Sequence, residues 1–177
     1  MRALADAEQD RGGDQQGRAA DDDADTDAVV GVLRAYGETG PLALTPEDVT
    51  AMRAAAGLLR EVFTHEGVDE VAGTLNRLLR EHTGPLRLTA HGGGTPWHPH
   101  LDRDDDGPWD EWLLASSCMA LAVLLWDHQR PPGRACASHA CGDVFIAHGS
   151  GPERRYCSRR CATRERVAAH RRTHAAR

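Results

Sequence analysis

Apolar positions along this chain repeat with a helical period in three stretches, fill a fourth almost all round, alternate with period two in one, and cluster into one short β-prone run. Val29, Val30, Val32 and Leu33 predict a short helix over residues 28–36, stopped by Gly37 and by Gly40-Pro41. Thr45 reads as a helix N-cap, with Pro46 at the first helical position and Glu47 and Asp48 behind it. The stripe Val49, Met52, Ala56, Leu59, Val62 and Phe63 carries that helix to about Thr64. Val71, Leu75, Leu78 and Leu79 mark a third helix over residues 68–81. Three amphipathic helices with short connections predict a bundle.

The period then changes. Leu86, Leu88 and Ala90 alternate with Arg87 and Thr89, His91-Gly92-Gly93-Gly94 is a turn, and residues 97–102 return as a second strand. His98, His100 and Asp102 recur there with period two and share one face, with His91 near the turn. A two-His-one-carboxylate metal site needs such a face, although alternating polar side chains on a hairpin ordinarily form its solvent side. Asp102, Asp104, Asp105, Asp106 and Gly107 match the opening of a calcium loop, but the twelfth position, which needs a bidentate Glu, is Leu113. The match therefore fails, and an acidic turn ahead of the next helix is expected. Residues 108–128 form that helix, apolar almost all round, and it is expected to be the core of the first domain.

Past residue 133 the apolar material thins to Val144, Phe145 and Ile146, and four cysteines take over. Cys136-x4-Cys141 brackets a tight loop; Cys157-x3-Cys161 places two thiols at i and i+4, expected on one face of the first turn of a helix over residues 158–173. Two close pairs from separate parts of the chain suit a tetrahedral structural Zn2+ site, and a segment this small needs such a staple. Two other ligand sets stay open: His170-x3-His174 combined with Cys157 and Cys161, and His139 or His148 in place of one thiol. Four cysteines are favoured, because the first alternative leaves Cys136 and Cys141 without a role. Cys118, within the apolar helix, reads as a small buried hydrophobe.

Charge sharpens this division. The 177-residue chain carries a formal −6, and all 21 of its basic residues are arginine. In residues 134–177 ten arginines face three acidic residues, a formal +7, which leaves −13 for everything before. Residues 1–25 hold too little apolar surface to order and read as a disordered acidic tail. No apolar run in the sequence reaches membrane-spanning length, and the first residues lack the apolar stretch of a signal peptide, so a cytoplasmic protein without membrane contact is expected.

Cys136-Ala-Ser-His-Ala-Cys141, Phe145, Arg154-Arg155-Tyr156-Cys157-Ser158, Cys161-Ala-Thr-Arg164 and the tail His170-Arg171-Arg172 together resemble the CGNR zinc finger. The family's Cys-Gly-Asn-Arg is here Cys161-Ala162-Thr163-Arg164, with Tyr156 in place of the usual Trp. The resemblance implies a zinc-binding module at the C-terminus of a bacterial transcription regulator. The order of helices, hairpin and long apolar helix before it also resembles the ABATE domain that precedes such fingers, which implies a small-molecule or stress signal sensed there.

The expected class is α+β and mainly helical. A disordered tail (1–25), a helical ABATE-like domain with a small β-hairpin (26–128) and a Pro/Gly linker (129–133) precede a zinc-stapled hairpin-plus-helix module (134–177). The expected function is zinc-dependent DNA binding through Arg155, Arg159, Arg160, Arg164, Arg166, Arg171 and Arg172, since guanidinium forks suit phosphates and guanine edges. A protein-interaction or RNA-binding adaptor using the same basic surface is the alternative. A closed four-cysteine site leaves no position for water, and no Ser-His-Asp set, nucleophile elbow or phosphate loop is visible, so no enzyme is expected. The sequence leaves oligomeric state open; a homodimer would give one small reading head more contact area.

Overall fold

A computed structural model of the chain describes residues 23–38, 40–104, 107–147 and 154–175. Most of the acidic leader, Asp105, Asp106, the expected turn from His148 to Pro152, and Arg177 lie outside them. By packing, the chain divides into a unit up to Ala54 and a second unit from Ala55 onward.

In the first unit, helix α1 covers residues 23–35 and starts earlier than its apolar stripe. Asp23 and Asp25 occupy its first turn, where the helix dipole favours carboxylates. Helix α2 (Pro46–Glu61) opens on a reciprocal cap. The Asp48 amide donates to Thr45 Oγ1 at 3.2 Å, and the Thr45 amide donates to Asp48 Oδ2 at 2.8 Å. Two donors that a helix start leaves without partners are thereby satisfied. Leu33, Val49 and Met52 are buried.

In the second unit, α2 tightens into a 3-10 turn at Val62–Thr64 and is followed by α3 (Val68–His82) and α4 (Trp109–His128). Val71, Leu75 and Leu78 of α3 and Leu114, Cys118 and Leu121 of α4 follow the same i, i+4, i+7 spacing. They join Leu59, Val62 and Phe63 in one core. Contrary to the sequence reading, one described helix, α4, is long and apolar enough to cross a membrane, because the helix extends past the uninterrupted apolar run at both ends. One of its faces packs into this core, while Val123 and Trp126 stay exposed. Gln129 ends it in the left-handed region at φ 51°, its amide donating to the Leu125 carbonyl at 2.8 Å.

Between α3 and α4 lies an antiparallel hairpin of β1 (Arg87–Thr89) and β2 (His98–His100), with Thr89 opposite His98 and Arg87 opposite His100. Its polarity is the reverse of the usual one. Leu88 is 65% exposed, whereas Thr89 and Asp102 are buried. The polar face can turn inward because Asp102 is paired: Arg87 Nη2 donates to its Oδ1 at 2.8 Å and His100 Nδ1 donates at 2.8 Å. Asp102 is thus committed to the hairpin and not to a calcium loop.

The C-terminal module begins with β3 (Gly133–Ala135) paired antiparallel to β4 (Val144–Ile146) and ends with α5 (Arg159–Ala175). The stretch read as a linker holds this hairpin against the core. Pro132 is buried and its carbonyl accepts the Ala147 amide at 3.0 Å. A Cβ on Gly133 would sit 2.3 Å from the Phe145 carbonyl oxygen and 2.6 Å from Phe63 Cε1. Only glycine allows so close an approach. Val144 packs on the same core from the other strand.

Candidate metal centre

The two cysteine pairs are positioned by different backbone devices. The Cys136 amide donates to the Asp143 carbonyl at 2.8 Å, which prolongs the β3–β4 pairing, and the Cys141 amide donates to the Ser138 carbonyl at 2.9 Å, which closes the loop between the thiols. The Ala137 amide donates to the Arg155 carbonyl at 2.9 Å and draws the segment leading to Cys157 alongside. Cys157 lies just before the helix, not within it, because Ser158 takes the N-cap. The Ser158 hydroxyl accepts the Cys161 amide at 3.3 Å. Cys161 alone therefore projects from α5, yet its sulfur is 3.6 Å from that of Cys157.

The four Sγ atoms lie within 4.8 Å of one another, and Cys141 and Cys157 approach to 3.7 Å. Tetrahedral zinc thiolates have sulfur separations of about 3.8 Å, from Zn–S bonds near 2.3 Å. The donor set therefore fits such an ion. Its protonation points the same way. The hydroxyl of Ser158, followed by Cys157 and Arg164, holds the Cys161 thiol down to about 6. Cys136 is also lowered: burial opposes its thiolate, but the amide of Cys157 and other donors outweigh it. Cys141 is pushed up to about 12, where the Asp143 amide favours the thiolate while the Asp143 carboxylate and the neighbouring sulfurs oppose it. Cys157 is raised chiefly by burial. Four sulfurs this close cannot all ionise unaided; a divalent cation removes the conflict and displaces the remaining protons.

Two residues outside the ligand set hold it in place. Glu165 accepts from the buried Ser138 hydroxyl at 2.8 Å and from the His139 amide at 3.2 Å, tying α5 to the loop of the first pair. The Ser138 bond, then the His139 amide, lowers the Glu165 carboxyl pKa. The sequence reading missed both Ser138 and Glu165. A signal existed: Glu165 stands four residues beyond Cys161, on the same helix face. Arg164, grouped by sequence with the basic surface, is exposed but directs its guanidinium to Cys161 Sγ at 3.0 Å and the Ala140 carbonyl at 3.3 Å.

The remaining arginines divide. Arg154 lies over the Phe145 ring at 5.2 Å and donates to the Cys157 carbonyl at 2.8 Å; Arg155 stands over Tyr156 at 5.9 Å. Arg159, Arg160, Arg166, Arg171 and Arg172 are exposed along α5. The His170 and His174 rings lie in tilted contact, centroids 4.3 Å apart, and neither joins the sulfur cluster. His139 contributes its amide, and His148 lies outside the described residues.

A comparison with protein families agrees with this geometry: residues 133–174 match the family model described as the CGNR zinc finger. Among curated proteins, none matches the chain. The C-terminal segment is thus similar to that finger, and its four cysteines converge in the way a metal-binding cluster requires.

Proposed function

Starting from a CGNR zinc finger at residues 133–174, we propose that this protein is a DNA-binding transcription regulator whose structural zinc orders an arginine-rich helix for docking on duplex DNA. Cys136, Cys141, Cys157 and Cys161 would hold the ion, which supplies a cross-link that the module's few apolar side chains do not. Ser158, Glu165 and Arg164 then fix the start of α5 relative to the loop.

The observation that carries the reading is the division of labour among the arginines. Arg164, itself exposed, donates to Cys161 Sγ, while Arg159, Arg160, Arg166, Arg171 and Arg172 are exposed along a helix anchored at its first turn. Guanidinium groups on an anchored helix offer planar donor pairs to phosphates. The acidic remainder of the chain confines the attraction for DNA to this end. Selection of zinc-loaded full-length protein against random duplex DNA tests this. An enriched motif whose affinity falls steeply with salt is expected. Retention of no duplex, with acidic proteins or RNA retained instead, would replace the regulator with an adaptor.

A further inference from the structure

We propose that the β1–β2 hairpin holds a second metal site, in which His91, His98 and His100 bind a divalent cation of the zinc class. One ring nitrogen of each lies within 4.8 Å of the others. His91 Nε2 stands 3.2 Å from His98 Nε2, and His98 Nε2 stands 3.0 Å from His100 Nε2. Nitrogen ligands at about 2.0–2.1 Å around a tetrahedral ion lie roughly 3.3 Å apart. The three imidazoles are already close to that spacing.

The protonation pattern makes the convergence informative. His98 Nδ1 lies 2.8 Å from the Pro96 carbonyl, which can only accept, so this nitrogen carries the proton. His100 Nδ1 donates to Asp102 Oδ1 at 2.8 Å, and Arg87 Nη2 donates to the same oxygen at 2.8 Å. In their neutral forms both rings therefore present a bare Nε2 lone pair to the other at 3.0 Å. Two lone pairs at that distance repel unless a proton or a metal ion stands between them. A carboxylate or a backbone carbonyl on the far nitrogen is also the arrangement that orients histidine ligands toward a metal.

Backbone geometry completes the set. His91 adopts φ 45°, followed by Gly92 at 66° and Gly93 at 93°, so the turn folds back and returns the His91 ring over β2. Asp102, a ligand candidate by sequence, serves instead to orient His100. Three protein ligands leave a fourth position, and His98 and His100 also line a largely apolar cleft of about 570 Å³ beside α4.

The test is metal content per chain in full-length protein equilibrated with zinc and cleared of excess. Two ions are expected in the wild type and one in His98→Ala/His100→Ala. Cobalt replacement separates the sites, because only the cysteine cluster gives a thiolate-to-cobalt charge-transfer band; this band should be unchanged in the histidine variant. A wild type that holds one ion and shows the full thiolate band overturns the proposal, as does a folded double variant that still holds two. Should the double variant misfold, His91→Ala on the exposed turn replaces it, with at least about tenfold weaker binding of the second ion expected and unchanged binding contradicting the site.

Discussion

The α3–α4 core and the cysteine module sit in one compact unit and are held together in opposite ways. In the core, Val71, Leu75, Leu78, Leu114, Cys118 and Leu121 remove apolar surface from water, and no polar contact is needed to explain its order. In the module, the buried residues include Cys136, Ser138 and Cys161, and α5 carries mostly exposed polar side chains. Apolar burial is graded, because each side chain adds its own area; a metal cross-link is held or lost as a whole. The two regions meet where Gly133 and Val144 pack on Phe63 and the core around it, so the graded region gives the other its footing.

Removing a ligand separates the two regions most sharply. Cys161→Ser should lower metal content by one ion per chain and abolish amide-exchange protection across residues 133–175, while α3 and α4 keep theirs. Equal loss in both regions would show one cooperative unit instead of two ways of holding structure. Leu78→Ala works from the other side: chemical denaturation should show a loss of about 2–5 kcal/mol with metal content unchanged. At the joint, Gly133→Ala forces a Cβ against the Phe145 carbonyl and Phe63. A destabilisation of about 1–3 kcal/mol is expected, together with faster metal release to a chelator.

Smaller effects sharpen the contrast. Glu165→Gln and Arg164→Ala leave all four sulfurs in place, so metal should be retained with affinity about tenfold lower, read by competition with a chromogenic chelator. Cys118 is fully buried and its thiol is pushed up to about 11 by that burial, so its thiolate is scarce near pH 8. In metal-stripped but folded protein, alkylation followed by peptide mass analysis should mark the four module cysteines and spare Cys118. Marking of Cys118 at a similar rate would mean that the core opens when the module does.

Where local pattern decides structure, the sequence was readable. Thr45-Pro46 starts α2, the i, i+4, i+7 stripe of α3 and the apolar run of α4 supply the core, and the spacing of Cys136, Cys141, Cys157 and Cys161 identifies the sulfur cluster. Where a distant partner decides, it was not. The inward polar face of the first hairpin depends on Arg87 and His100 meeting Asp102 across fifteen residues and two, and alternation alone would turn that face to water. Cys157 left the helix because Ser158 is the better cap, a competition that i, i+4 counting ignores. Arg164 looked like one more surface cation, and only the fold shows its guanidinium on Cys161.

The measurement that tests the functional account most directly is duplex-DNA affinity against salt concentration for zinc-loaded protein, metal-stripped protein and the zinc-loaded Arg160→Ala/Arg171→Ala variant. Binding is expected only in the loaded forms, with the slope of log affinity against log salt shallower by about 2 in the variant. Equal affinity with and without metal, or an unchanged slope after both arginines are removed, would contradict it.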